Sequence, residues 1–252
     1  MKEKLYIIPL NDALQALDEC PFCFLERKLE QDLIDFVLGS SASYMESDTR
    51  ALTDKAGFCR SHFKKMYDYG NTLGNSWILK THYQRILKDM EQAFSSTVPV
   101  KISFFDRKKA TSSPNTAVGR WLLEEESSCY ICNQFEKEFP RYVDTFFYLY
   151  EKEEEFRKKV LSSKGFCLPH FARLCEHASQ NLPEKKQTLF FPPLFNLMKE
   201  NMNRIYEDVS WLIEKFDYRN KDADWKNSKD AVGRAMQKLK GGYPFDPVFK
   251  QR

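Results

Sequence analysis

The sequence predicts an all-α protein of two tandem helical units, with three to four helices in each unit. Two patterns support this prediction. Apolar residues recur at intervals of three and four along much of the chain, which is typical of amphipathic helices. A motif of cysteine and histidine, CxxC followed by GFCxxH, occurs twice, with 108 or 109 residues between matching positions. The repeat sets the predicted boundaries, which are a first unit at 1–94, a linker at 95–116, a second unit at 117–216 and a tail at 217–252.

The overall composition indicates a soluble globular protein. The chain has 252 residues, 42% of them hydrophobic and 30% charged, with a net charge of +3. No apolar run reaches the roughly 18 residues that a membrane-spanning helix needs, and the apolar stretch near the N-terminus is too short for a signal peptide. We therefore expect a cytoplasmic protein without membrane insertion. In that compartment cysteines stay reduced, and CxxC pairs more often serve metal or redox chemistry than structural disulfides.

In the first unit, a short helix at 11–17 precedes the first CxxC pair. A longer helix is predicted from Pro21 to about Gly39, because proline suits the first helical position and glycine commonly follows the last. Further helices are expected at 44–55, around Cys59 and His62, and at 77–94. The linker contains a possible short strand at 100–104.

The second unit repeats this order. Helices are expected at 117–126, 130–150 and 151–161, then around His170, and finally from Pro192 to about Phe216. The tail has no counterpart in the first unit. We expect one helix there, from residue 227 or 228 to Lys240, packing on the body of the protein.

The repeated motif supplies two sets of metal ligands. Thiolates and imidazoles at these spacings suit a closed tetrahedral Cys3His zinc site, formed by two short pairs from different helices. Taking each copy of the motif as one site, the sequence predicts two zinc ions per chain. The first set is Cys20, Cys23, Cys59 and His62, and the second is Cys129, Cys132, Cys167 and His170.

Other interpretations of the cysteines stay open. Buried cysteines can act as small apolar residues. A cysteine at a helix N-terminus has a stabilised thiolate, which would also suit a redox disulfide or a sensor. Iron or an iron–sulfur cluster accepts similar ligands, and CxxC spacing does not discriminate it from zinc.

Few other residues indicate chemistry. Arg219, Lys229 and Arg234 in the tail form a possible anion-binding group, and Cys175 and His177 lie outside the repeat. The sequence has no glycine-rich phosphate loop, GxSxG or HExxH motif, so no catalytic residue is predicted. A structural or interaction role with an unknown protein partner is the leading hypothesis. Nucleic-acid binding through the basic linker or tail is a weaker alternative.

The duplicated motif, together with the tail that follows it, resembles an uncharacterised bacterial family of unknown function. The tail residues that carry the resemblance are Asp217-Tyr218-Arg219-Asn220, Trp225 and Asn227-Ser228-Lys229-Asp230-Ala231. The resemblance covers nearly the whole chain but implies no established activity. The second copy departs from the first by having Tyr130 where the first has Pro21, which leaves the ligands unchanged.

Overall fold

The predicted fold class is confirmed. A computed structural model describes residues 4–97 and 116–242, and within these ranges it contains α-helices and no strand. Eleven helices lie there: α1 (Lys4–Gln15), α2 (Pro21–Leu38), α3 (Ser47–Ala56), α4 (Arg60–Tyr69), α5 (Thr72–Ser95), α6 (Ala117–Ser127), α7 (Tyr130–Lys152), α8 (Glu154–Leu161), α9 (Leu168–Asn181), α10 (Glu184–Glu214) and α11 (Ala231–Lys240). The strand expected at 100–104 lies outside the described residues. Over the described ranges, every helix is too short or too polar to cross a membrane.

The described residues form two compact units that do not follow the order of the chain. The first unit combines residues 4–29 with 137–242, and the second combines 30–97 with 116–136. The divisions fall inside α2 and α7, the two helices that follow the CxxC pairs. Each unit therefore contains parts of both copies of the motif. A tandem duplication, with one closed unit for each copy, is not confirmed.

Aromatic side chains fill the core of the first unit. Phe22 at the start of α2 contacts Phe139, Phe146 and Phe166, with ring centroids 5.5–5.9 Å apart. All four side chains are buried. Rings of this size remove a large apolar area from water, and their tilted packing adds favourable ring–ring contacts. The start of α2 is thereby fixed against α7 and the segment that precedes α9.

The core of the second unit is mainly aliphatic. Ile34, Val37 and Leu38 on the last turns of α2 pack with Met66 of α4 and Ile78 of α5. The core also includes Cys129, which precedes α7, and Tyr130 and Ile131 at the start of that helix. The spacing of the α2 residues places them on one face of the helix.

Three helices begin earlier than the sequence predicts. The first helix begins at Lys4, with Pro9 inside it, and α5 begins at Thr72, where the Asn71 side chain accepts a hydrogen bond from Gly74. The prediction that Pro192 opens α10 is wrong, because the helix begins at Glu184 and includes both prolines. Although proline removes a helical hydrogen bond, the buried apolar face of α10 keeps the helix continuous.

Candidate metal centres

All four motif pairs lie at helix N-termini. Cys20, Cys59, Cys129 and Cys167 each immediately precede a helix, and their carbonyls accept the first helical hydrogen bonds, at 2.8–3.2 Å. The second ligand of each pair follows three residues later, in the first turn. Helix N-termini carry free N–H groups and a partial positive charge, so this placement stabilises thiolates. The N-termini of four helices therefore favour the thiolate form of the cysteines.

The structure gathers the eight predicted ligand residues into two clusters of four. The predicted pairing within each copy of the motif is wrong, because each CxxC pair meets the CxxH pair of the other copy. The first centre consists of Cys20, Cys23, Cys167 and His170, and the second of Cys59, His62, Cys129 and Cys132. In each cluster the four ligand atoms lie within 4.8 Å of one another. Both clusters keep the Cys3His composition expected from the sequence.

The first centre is closed to solvent. Its three cysteines are each 0% exposed, and His170 is 3% exposed. The Nδ1 atom of His170 lies 3.4 Å from Cys20 Sγ, 3.6 Å from Cys23 Sγ and 3.1 Å from Cys167 Sγ. The sulfurs of Cys23 and Cys167 are 3.6 Å apart. The imidazole ring stacks on Phe139, which fixes its plane.

The second centre has similar distances but is more accessible. The Nδ1 atom of His62 lies 3.1 Å from Cys59 Sγ, 3.2 Å from Cys129 Sγ and 3.5 Å from Cys132 Sγ. The sulfurs of Cys59 and Cys132 are 4.0 Å apart, and both residues are half-buried. The Ser61 hydroxyl lies 3.1 Å from Cys59 Sγ.

These distances fit a tetrahedral metal site. With Zn–S bonds of about 2.3 Å and a Zn–N bond of about 2.05 Å, tetrahedral geometry places sulfur atoms about 3.8 Å apart and sulfur about 3.6 Å from nitrogen. The sulfur separations are 3.6 Å for Cys23–Cys167 and 4.0 Å for Cys59–Cys132, and the sulfur–nitrogen separations are 3.1–3.6 Å. All ligand atoms of a centre lie within 4.8 Å of one another. A disulfide would need sulfurs about 2.05 Å apart. Both donor sets therefore have the chemistry and the dimensions to hold a metal ion.

A glutamate orients each histidine from behind. The Nε2 atom of His170 lies 3.0 Å from Glu26 Oε1, and that of His62 lies 2.9 Å from Glu30 Oε1. A carboxylate in this position fixes the imidazole tautomer, so that Nε2 carries the proton and Nδ1 presents its lone pair to the metal. Lys65 forms an ion pair with Glu30. Glu26 and Glu30 are four residues apart on α2, so one helix supplies this partner to both centres.

In the second centre, the pKa values of the histidine and of two cysteines depart strongly from their usual values. Burial lowers the pKa of His62, but hydrogen bonds to Cys129 and Glu30 outweigh it and raise the pKa to about 10. Burial raises the pKa of Cys129, but its hydrogen bond with His62 brings the pKa down to about 6. Burial and the nearby charge of Cys129 raise the pKa of Cys132 to about 12. A neighbouring thiolate and imidazolium therefore stabilise each other, and a metal would have to replace the imidazolium proton.

The two centres differ in how their loops are joined. In the second centre, Tyr130 N donates a hydrogen bond to Gly57 O at 2.8 Å, which joins the CxxC loop to the GFCxxH loop. In the first centre Pro21 occupies the position of Tyr130 and has no N–H. The buried Lys238 of α11 joins the loops instead, because its ammonium donates to Glu19 O at 2.5 Å and also to Lys164 O. The tail thus supplies the link that proline removes.

The remaining predicted residues lie elsewhere. Neither Cys175 nor His177 belongs to the two clusters, and His177 stacks on Phe147 with centroids 4.5 Å apart. The possible anion-binding residues are not all brought together. Lys229 and Arg234 line one cavity, whereas Arg219 is outside its lining and pairs with Asp217.

Sequence reasoning missed four residues that support the centres. Glu26 and Glu30 follow Cys23 by three and seven residues, so helical spacing placed them on the ligand face of α2. That signal could have identified them. Lys238 and Gly241 gave no comparable signal, because they lie far from most of the ligands along the chain and come close to the first centre only in the folded protein. A Cβ atom on Gly241 would lie 3.6 Å from Cys167 Sγ and 3.7 Å from Cys23 Sγ, so the end of α11 covers the first centre.

Of three comparisons with known proteins, only the comparison with family models found a match. Searches of curated proteins and of solved structures found no match. A family model described as a family of unknown function, DUF6062, matches residues 1–246. This match covers both clusters and α11, in agreement with the resemblance seen in the motif and the tail. The chain therefore belongs to the DUF6062 family.

Proposed function

We propose that this protein is a helical scaffold held together by two zinc ions, one in each Cys3His centre. The observation that carries the proposal is the double cluster itself, in which three sulfurs and one histidine nitrogen converge twice to within 4.8 Å of one another. Acidic partners on both histidines support it further, since such contacts are common where imidazole binds a metal. Zinc is the metal most often held by three thiolates and one imidazole in closed sites.

The role proposed for zinc is structural. Four protein ligands leave no open position for a substrate or an activated water molecule, which is the arrangement of structural rather than catalytic zinc. Burial of the first centre favours the same role. With three thiolates, each zinc centre would carry a net charge of −1, and the surrounding helix N-termini would offset it. Each zinc ion would then connect the N-termini of two helices.

We propose further that the scaffold acts by binding a protein partner. The support is a set of large apolar side chains exposed towards the end of α10. Tyr206 and Ile213 are 73% and 69% exposed, and their spacing of seven residues places them on one face of α10. Phe216, in the turn that follows the helix, is 83% exposed. Exposed apolar groups that cluster in this way are typical of interaction surfaces.

Elemental analysis, combined with an absorbance spectrum, tests the metal assignment directly. The protein should be purified anaerobically without added metal. About two zinc ions per chain and no visible absorbance are expected. Iron with charge-transfer bands, or a metal-free protein whose CxxC pairs form reversible disulfides, would contradict the proposal and would favour a redox function.

A further inference from the structure

A polar cavity of about 590 Å³ lies in the first unit, outside the metal ligands. The turn after α8, the middle of α10, the segment leading into α11 and the first turn of α11 form its walls. Its lining contains two serines, two asparagines, one acidic residue and five basic residues. The charged residues are Lys164, Arg204, Lys226, Lys229, Asp230 and Arg234.

Part of this positive charge is already neutralised by neighbouring carboxylates. Arg234 lies 2.8 Å from both Asp208 and Asp230, and it also donates to Asn227 O. Arg204 forms an ion pair with the buried Glu19. These contacts hold both guanidinium groups in place and make them a fixed part of the wall.

The buried carboxylate of Glu19 is shared among several cations. It is 3% exposed and lies 3.8 Å from Lys164 Nζ, 3.7 Å from Arg234 and 3.4 Å from Lys238 Nζ, in addition to the contact with Arg204. One carboxylate balances only one of these four charges. Lys238 lies outside the cavity lining and donates to backbone carbonyls, so five cations line the cavity. They face three carboxylates, which are Glu19, Asp208 and Asp230. An excess of two positive charges therefore remains at the cavity.

The flexible lysines supply the charge that a ligand could use. Lys229 is exposed, the side chain of Lys164 is 40% exposed, and Lys226 extends over the Trp211 ring, with its Nζ 4.2 Å from the ring centroid. Ammonium groups act as mobile point charges that readily bind phosphate oxygens, and the nearby asparagine amides can donate further hydrogen bonds. The hydroxyls of Ser162 and Ser163 already donate to backbone carbonyls.

We propose that this cavity binds the phosphate group of a small phosphorylated molecule. A phosphomonoester carries a charge of about −1.5 to −2 at neutral pH and three acceptor oxygens, which suits an excess of two positive charges better than a single carboxylate does. The volume falls within the roughly 300–1,000 Å³ typical of small-molecule sites, so it has room for more than the phosphate itself. Lys164 precedes the GFCxxH loop, and therefore the phosphate site adjoins the first metal centre without sharing its ligands.

Calorimetric titration of the full-length protein, with its metals bound, tests this proposal. The probes are inorganic phosphate and pyrophosphate at low ionic strength, with succinate as a dicarboxylate control. The variants are Lys229→Gln and Lys164→Gln. Lys199→Gln serves as the matched control, because Lys199 is an exposed lysine of α10 outside the cavity lining. Circular dichroism and metal content establish that each variant is folded.

We expect pyrophosphate to bind at one saturable site per chain and phosphate to compete for it. Each cavity variant should weaken this binding at least tenfold, whereas the control should change it less than twofold. The proposal is overturned if pyrophosphate does not bind at millimolar concentration, or if the control variant weakens binding as much as Lys229→Gln does. Equally tight binding of succinate would overturn the assignment to phosphate. Because Lys229 is exposed, its substitution should leave the fold intact, so that a change in pyrophosphate binding reports on the cavity.

Discussion

At the scale of single residues, the glutamate behind each histidine distinguishes a prepared metal site from a chance cluster. Glu26 and Glu30 hold the outer nitrogens of His170 and His62, so that the inner nitrogens face the sulfurs. The carboxylates do not touch the proposed metal. They act through the orientation and basicity of the imidazole.

Replacing Glu30 by glutamine should weaken zinc binding at the second centre by about 10–100-fold, which is the usual effect of losing such a partner. The amide keeps the shape of the side chain but not its charge. Competition with a chromophoric chelator measures the two affinities separately. Glu26→Gln is the matched control and should weaken only the first centre; equal effects of either variant on both centres would contradict this role.

Zinc affinity at the second centre should rise with pH. The pKa of His62 is raised to about 10 and that of Cys132 to about 12, so both groups hold protons at neutral pH, and zinc must displace these protons. Each proton released changes the affinity by about tenfold per pH unit, with weaker binding at lower pH. Chelator competition at pH 6, 7 and 8 measures the slope. An affinity independent of pH would show that no proton is displaced.

At the scale of secondary structure elements, the glycine of each GFCxxH motif sets the backbone conformation of the loop that leads into the ligand helix. Gly57 and Gly165 have φ values of 58° and 74°, in the left-handed region that favours glycine. At Gly57 a Cβ atom would also lie 2.9 Å from the ring of His82, whose Nδ1 contacts Asp54 O. These contacts give His82 a structural role beside the GFCxxH loop.

Gly57→Ala should lower the free energy of unfolding by about 1–3 kcal/mol, because backbone strain and a steric contact act together. Gly70→Ala is the matched control, since Gly70 has φ 87° but no atom within 4 Å of the position that a Cβ would take. The control should lose less, because Gly70 has a ψ of 1°, in a region that other residues also adopt, whereas the φ of 58° and ψ of −159° at Gly57 are almost confined to glycine. Urea unfolding of the zinc-loaded proteins compares them, and an equal loss in both variants would contradict the combined effect of strain and steric contact at Gly57.

The sequence predicts most elements well, and its errors have physical causes. Helix α2 ends where Gly39 indicates, because local signals decide such an end. The start of α10 is missed because Pro192 and Pro193 indicate a helix start, whereas packing of Phe190 and Leu194 in the core keeps the preceding turns helical. Tertiary contacts of this kind override local preference and cannot be read from a window of sequence.

At the scale of the whole molecule, the main result is the crossed pairing of the motifs. The sequence identifies the eight candidate ligands, but it cannot pair them, since either CxxC has the chemistry to complete either GFCxxH. The structure joins Cys23 to Cys167 across 144 residues and Cys59 to Cys132 across 73 residues. A metal ion that closes such a long loop constrains the unfolded chain more than one that joins residues close together in the sequence. Zinc removal should therefore destabilise the helical body as a whole.

Metal content of two double variants tests this pairing most directly. The variants are Cys20→Ala/Cys167→Ala and Cys20→Ala/Cys59→Ala, each dialysed against a chelator of moderate affinity before elemental analysis. The crossed pairing places Cys20 and Cys167 in one centre, so the first variant should retain about one metal per chain. The second variant damages both centres and should retain almost none. The opposite result, with the metal kept by the second variant and lost from the first, would contradict the crossed pairing.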